Sequence, residues 1–123
     1  MARDERLESL EVFKLAERLA DLVWEATKGW PNFARDTIGK QLVRAADSVG
    51  ANIAEGYGRF GYRDRRHFLH IARGSLYETR YWLRRAHRRN LMVTDLEEEL
   101  ARLLDELPPK LNGFLRSIRP PVK

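Results

Sequence analysis

The sequence predicts an all-α protein, an antiparallel up-and-down four-helix bundle. Three observations predict it. Apolar residues recur at helical spacing through four segments joined by short connections. No segment alternates apolar and polar residues as a half-buried strand does. A chain of 123 residues, 43% hydrophobic and 33% charged, suffices for one buried core, so residues 1–123 read as a single domain.

The first helix is expected over 9–28, where Val12, Ala16, Leu19, Val23 and Ala26 form a stripe widened by Phe13, Ala20 and Trp24. Ser9 reads as its cap, Gly29 as a left-handed end, and Pro31 forbids continuation. The aromatics of the Trp30-Pro31-Asn32-Phe33 linker are expected to fold over the bundle end. The second helix, over 36–55, starts at Asp36 or Thr37 and buries Ile38, Leu42, Ala45, Val49 and Ile53. Gly50 inside it costs about 1 kcal/mol of helix propensity and so suggests a closely approaching neighbour. Gly56 reads as its C-cap, with Gly58 and Gly61 keeping the next connection irregular.

The third helix, over 64–89, is the longest, with Phe68, Ala72, Ser75, Thr79, Trp82 and Ala86 inward and Asn90 as C-cap. Thr94 and Glu97 have the spacing of a capping box opening a fourth helix over 95–119. Its stripe is Leu96, Leu100, Leu103, Leu107, Leu111, Phe114 and Ile118. A break is expected near 107–109, because Pro108 and Pro109 cannot donate to the ladder and the Pro108 ring meets the carbonyl of Leu104. The apolar arcs of the first and third helices are broader than one core requires, which predicts a homo-oligomer.

Composition narrows the function. There is no cysteine, hence no disulfide and no thiolate metal site. The N-terminal MARDERLESLEVF mixes charge signs and lacks a signal-peptide core, and no apolar run approaches membrane-spanning length, so a cytoplasmic location is expected. No Gly-rich phosphate loop follows a strand and nothing points to an activated nucleophile; neither catalysis nor a cofactor is expected. His67 and His70 stand three apart with only Asp64 near in sequence, and His87 lies several turns away. That is too few ligands for a metal.

The charge is concentrated. The net charge is +5, yet residues 59–89 hold ten arginines against only Asp64 and Glu78, while the flanking segments are slightly acidic. Arg66, His70, Arg73, Tyr77, Arg80, Arg84 and Arg88 follow steps of three and four, one continuous face of the third helix, and Arg59 and Arg63 extend it into the preceding loop. Guanidinium forks suit phosphates, and an interleaved tyrosine offers a stacking plane. Nucleic acid, structured or single-stranded RNA foremost, is the partner this pattern suggests. Two other readings stand beside it: a solvated face salt-bridged to Glu97, Glu98 and Glu99, and a surface for a protein partner.

Two further groups stand out. In the loop GYGRFGYRDRR, residues 56–66, glycine, aromatic and arginine residues alternate. It reads equally as a base-stacking segment and as a tight connection with Tyr57 or Phe60 over the bundle end. Ser48, Asn52 and Glu55 share one face of the second helix, opposite Gly74-Ser75 of the third. They read as an internal structural network with Ser75, Glu55 needing an arginine or backbone donors if buried.

The order of LEVFKLAERLADLVWE, the WPNF linker, QLVRAADSVGANIAEGYGR, FLHIARGSLYETRYWLRRA and a late NGFLRSI resembles the bacterial four-helix bundle family labelled 23S rRNA intervening-sequence proteins, over residues 10–119. The resemblance implies a four-helix protomer in a ring-shaped homopentamer with a central channel and a basic surface. It also implies kinship with the accessory proteins of diversity-generating retroelements, which pair with a reverse transcriptase and nucleic acid. The paired prolines depart from the family's uninterrupted last helix. Together these readings favour a non-enzymatic oligomeric scaffold binding RNA through the third helix. The alternatives are an adaptor that recruits a nucleic-acid enzyme such as a reverse transcriptase, and a purely structural ring.

Overall fold

A computed structural model describes residues 5–121. Those residues are helical with short connections and contain no strand. A single turn and a half, α1 (Glu5–Ser9), leads into α2 (Glu11–Lys28). A short α3 (Asn32–Ala34) and a π-helical turn (Arg35–Gly39) then run without a gap into α4 (Lys40–Gly58), followed by α5 (Tyr62–Arg88) and α6 (Thr94–Ser117).

The four long helices form the bundle, and their contacts give its sense. Along α4 and α5, Arg44 meets Glu78, Ser48 meets Ser75, and Gly56 meets Phe68, so one helix rises as the other falls. Gly39 and Gly50 lie against Thr27 and Ala16 of α2 in the same opposed sense. On the other side of α5, Arg66, Arg80 and His87 meet Leu115, Leu104 and Glu97. An ion pair from Arg18 to Glu99 joins α2 to α6 and closes the circuit. The lateral α2/α4 and α5/α6 faces therefore lie on opposite sides. One continuous core fills the centre, with Leu19, Leu42, Ile53, Leu69, Leu76, Leu100, Leu107 and Leu111 among its most enclosed side chains. Burial of each such side chain contributes about 1.5–3 kcal/mol against the entropy of ordering the chain.

Several local expectations change. No break occurs at 107–109: α6 runs through Pro108 and Pro109. The carbonyl that Pro108 leaves without a donor, that of Leu104, accepts instead from Nη2 of Arg80 at 2.6 Å. The capping box does not form. Val93 occupies the N-cap, and the Glu97 carboxylate turns to His87. Ser9 ends α1 rather than capping α2, which starts after Leu10. Neither Asp36 nor Thr37 caps a helix, since the π-helical turn carries the chain through them and Thr37 Oγ1 donates back to the Phe33 carbonyl at 2.6 Å. Gly29 has φ −94°, not a left-handed value, whereas Asn90 at φ 59° does close α5 that way. Of the linker aromatics, Trp30 is buried and Phe33 is exposed.

The close approach of α4 and α5 is at Gly56, a position read from sequence as a cap. A Cβ there would stand 3.0 Å from the Arg65 carbonyl oxygen and 3.3 Å from Phe68 Cβ. At Gly50, where sequence placed a close neighbour, a Cβ would meet Ala16 of α2 at an ordinary 3.7 Å, and Gly74 faces open space. None of the described helices is long and apolar enough to cross a membrane.

Candidate nucleic-acid interface

The α5 stripe faces outward along the seam with α6, where a cleft of about 210 Å³ is bordered by Arg80, Arg84, His87, Glu97 and Leu104. The structure divides its arginines by what they touch. Arg66 is half-buried and donates from Nη1 to the Leu115 carbonyl at 2.9 Å, at the C-terminal end of α6, where the same oxygen also accepts from the Ile118 backbone N–H at 3.2 Å. Arg80 serves the Leu104 carbonyl. Arg59 is exposed but engaged: Nε donates to Glu55 Oε2 at 3.0 Å and the guanidinium lies 4.6 Å from the Phe68 ring centre.

Arg63, Arg73, Arg84 and Arg88 are exposed, and none has a carboxylate within 4.0 Å among the described residues. Tyr77, 54% exposed, stands between Arg73 and Arg84 on the same face. Of the three glutamates that a salt-bridged face would need, two are engaged with side chains other than these arginines, and Glu98 makes no ion pair among the described residues. Glu99 pairs with Arg18 of α2, and Glu97 lies 2.8 Å from Nδ1 of His87. The stripe thus combines two arginines turned to the backbone of α6 with a residual set of unneutralised ones.

The sequence profile of 23S rRNA-intervening sequence proteins matches residues 8–113, most of the chain. The chain belongs to that family. A crystal structure of a protein of unknown function from the S23 ribosomal protein family of Bacteroides thetaiotaomicron VPI-5482 shares the fold, with a TM-score of 0.75. The two are 24% identical, and the match covers 85% of this chain and 95% of that one. No curated protein matches it.

In this member of the intervening-sequence protein family the polar group between α4 and α5 is compact. The Ser48 and Ser75 hydroxyls are 2.8 Å apart, and Asn52 Nδ2 donates to the Ser48 carbonyl at 2.8 Å and to its hydroxyl at 2.9 Å. Glu55 is not part of it. One turn further on, it is exposed and holds Arg59 instead. Of the loop aromatics, Phe60 is fully exposed while Tyr57 and Tyr62 are half-buried. His67 stacks edge-on against Phe68 with ring centres 5.3 Å apart, and no group of three metal-binding side chains occurs among the described residues.

Two features escape a sequence reading. Asp47 borders an α2/α4 groove with Glu17 and Asp21; burial first, and then the Asp21 charge, raise its carboxyl above the usual aspartate range. A second concavity, beside Trp24, draws cations from α2, the π-helical turn and α4, which share no helical face in sequence. Its one linear signal is a tryptophan at the margin of the first apolar stripe.

Proposed function

We propose that this protein is a non-enzymatic, cytoplasmic, oligomeric scaffold that binds RNA through Arg63, Arg73, Arg84, Arg88 and Tyr77. The observation that carries this reading is the absence of any carboxylate partner for these arginines among the described residues. Like charges four residues apart cost an isolated helix about 0.2–0.5 kcal/mol each, a repulsion that a polyanion relieves. Contacts to several phosphates give an affinity that is largely sequence-independent and falls with salt. The family's description, with its reference to 23S rRNA, points the same way. Arg66 and Arg80 support the surface by fixing α5 against α6, and contribute to it only through their charge.

Assembly belongs to the same reading. The resemblance implies a homopentameric ring, and exposed Ile71 and Tyr81 offer apolar surface for subunit contact. Light scattering checks this; a closed oligomer is expected, and a stable monomer contradicts it.

A second reading rests on Ile71, Tyr77 and Tyr81, exposed around the open Gly74. That patch suits an adaptor recruiting a nucleic-acid enzyme such as a reverse transcriptase. Purification from a native host separates the two readings. RNA that co-purifies at low salt and leaves in a high-salt wash, seen in the ultraviolet absorbance ratio, supports direct binding. Nucleic acid recovered only together with a protein partner supports the adaptor, and protein free of nucleic acid at low salt contradicts both.

A further inference from the structure

A cavity of about 520 Å³ lies between the C-terminal turns of α2, the π-helical turn and the first turns of α4, away from the α5/α6 seam. Its volume falls within the range of small-molecule sites. Thr27, Gly39 and Val43 are part of its lining, together with Trp24, which is 59% exposed. Lys28, Arg35, Lys40 and Arg44 surround it, with Asp36 the one carboxylate in the lining. A single exposed tryptophan needs no explanation. An exposed indole over a concavity bordered by four cations from three elements does.

Three of those cations have partners: Lys28 with Glu25 at 2.9 Å, Arg35 with Asp36 at 3.7 Å, and Arg44 with Glu78. All three pairs are solvent-exposed, and such pairs are held weakly enough to yield to a phosphate. Lys40 has no carboxylate within 4.0 Å among the described residues. The π-helical turn contributes to the lining at both its ends, Arg35 and Asp36 at one and Gly39 at the other.

We propose that this cavity is a nucleotide site, in which a planar base stacks on Trp24 and the adjoining phosphate is met by Lys40 together with Lys28, Arg35 and Arg44. A base supplies the flat apolar surface that an indole beside Val43 accepts, and a phosphate supplies the anion that the cations demand. A free nucleotide and one nucleotide within a polynucleotide share this chemistry. The site does not depend on the α5 arginines.

Saturation-transfer NMR with AMP, adenosine and a short oligoadenylate tests it on the wild-type protein, Trp24→Ala, Lys40→Glu, and the triple variant Arg73→Glu, Arg84→Glu, Arg88→Glu. AMP binds the wild type, and adenosine binds at least about tenfold more weakly for want of the phosphate. Trp24→Ala and Lys40→Glu each lower AMP affinity by about tenfold or more, the scale of one stacked base or one lost charge contact. The triple variant keeps AMP binding, so this site and the α5 surface fail or stand separately. Oligoadenylate that binds tighter than AMP and is weakened by Trp24→Ala identifies a polynucleotide as the source; equal affinity identifies the free nucleotide. AMP binding that is absent from the wild type, matched by adenosine, or unchanged in Trp24→Ala and Lys40→Glu overturns the proposal.

Discussion

Arg80 donates from Nη2 to the carbonyl oxygen of Leu104 at 2.6 Å, the acceptor in α6 that Pro108 leaves without its helical donor. A proline inside a helix costs about 3 kcal/mol or more when the freed carbonyl and the ring clash go uncompensated. Here a side chain from the neighbouring helix supplies the missing donor, and α6 continues for two further turns to cap against Arg66. An arginine that sequence assigned to a ligand thus also supplies a donor to the last helix.

Arg80→Met should therefore destabilise the protein by about 1–3 kcal/mol, the cost of leaving a partly buried acceptor unmet. In a Pro108→Ala background residue 108 regains its N–H, and the same substitution should cost clearly less. Urea denaturation of the four proteins in this cycle measures the coupling, expected at about 1 kcal/mol or more. Additive effects contradict the compensation.

Two glycines should respond in opposite directions to the same change. Gly56→Ala puts a methyl 3.0 Å from the Arg65 carbonyl oxygen, which backbone cannot easily yield, and should cost about 1–3 kcal/mol. Gly74→Ala meets nothing within 4 Å and should gain about 0.8–1 kcal/mol of helix propensity. Thermal melts of both variants check the pair. A destabilised Gly74→Ala would show that the Gly74 surface is covered in the assembled protein.

Asp47 gives a pH dependence. Its carboxyl is raised by burial and then by Asp21, so the folded protein holds that proton more tightly than the unfolded chain does. The sign follows: the folded state carries no penalty from this group at acid pH, and acquires one as pH rises from the usual aspartate value through the raised one. Asp47→Asn should raise stability at neutral pH and lose that advantage as pH falls below the ordinary aspartate range. The groove is open to solvent, so the gain should stay within about 1 kcal/mol. Melting temperatures across the acid range test it, and a variant less stable at neutral pH contradicts the assignment.

The helices and their inward faces were legible because a 3.6-residue period is local information. Leu42, Val49 and Ile53, for instance, announce the buried side of α4 without knowledge of their neighbours. What was not legible depends on residues distant in sequence. The break at Pro108 follows from the chain alone, whereas the donor that meets the freed Leu104 carbonyl comes from Arg80, 24 residues before Leu104. Glu97 at capping-box spacing was diverted by His87, ten residues earlier. Periodicity put every stripe arginine on one side of α5, but a helical wheel does not say which of them lie near enough to α6 to reach its carbonyls. Asn52 joined the Ser48–Ser75 pair at helical spacing, while Glu55, one turn on, found Arg59 within its own segment.

The unneutralised arginines of α5 are proposed to bind RNA. Fluorescence anisotropy of a labelled structured RNA, with wild type beside Arg73→Glu, Arg84→Glu, Arg88→Glu, tests it most directly across a salt series. Wild-type affinity is expected to fall steeply with salt, and the folded triple variant to be weakened by about a hundredfold or more with a flatter salt slope. Equal affinity in the two proteins, or wild-type binding indifferent to salt, would contradict it.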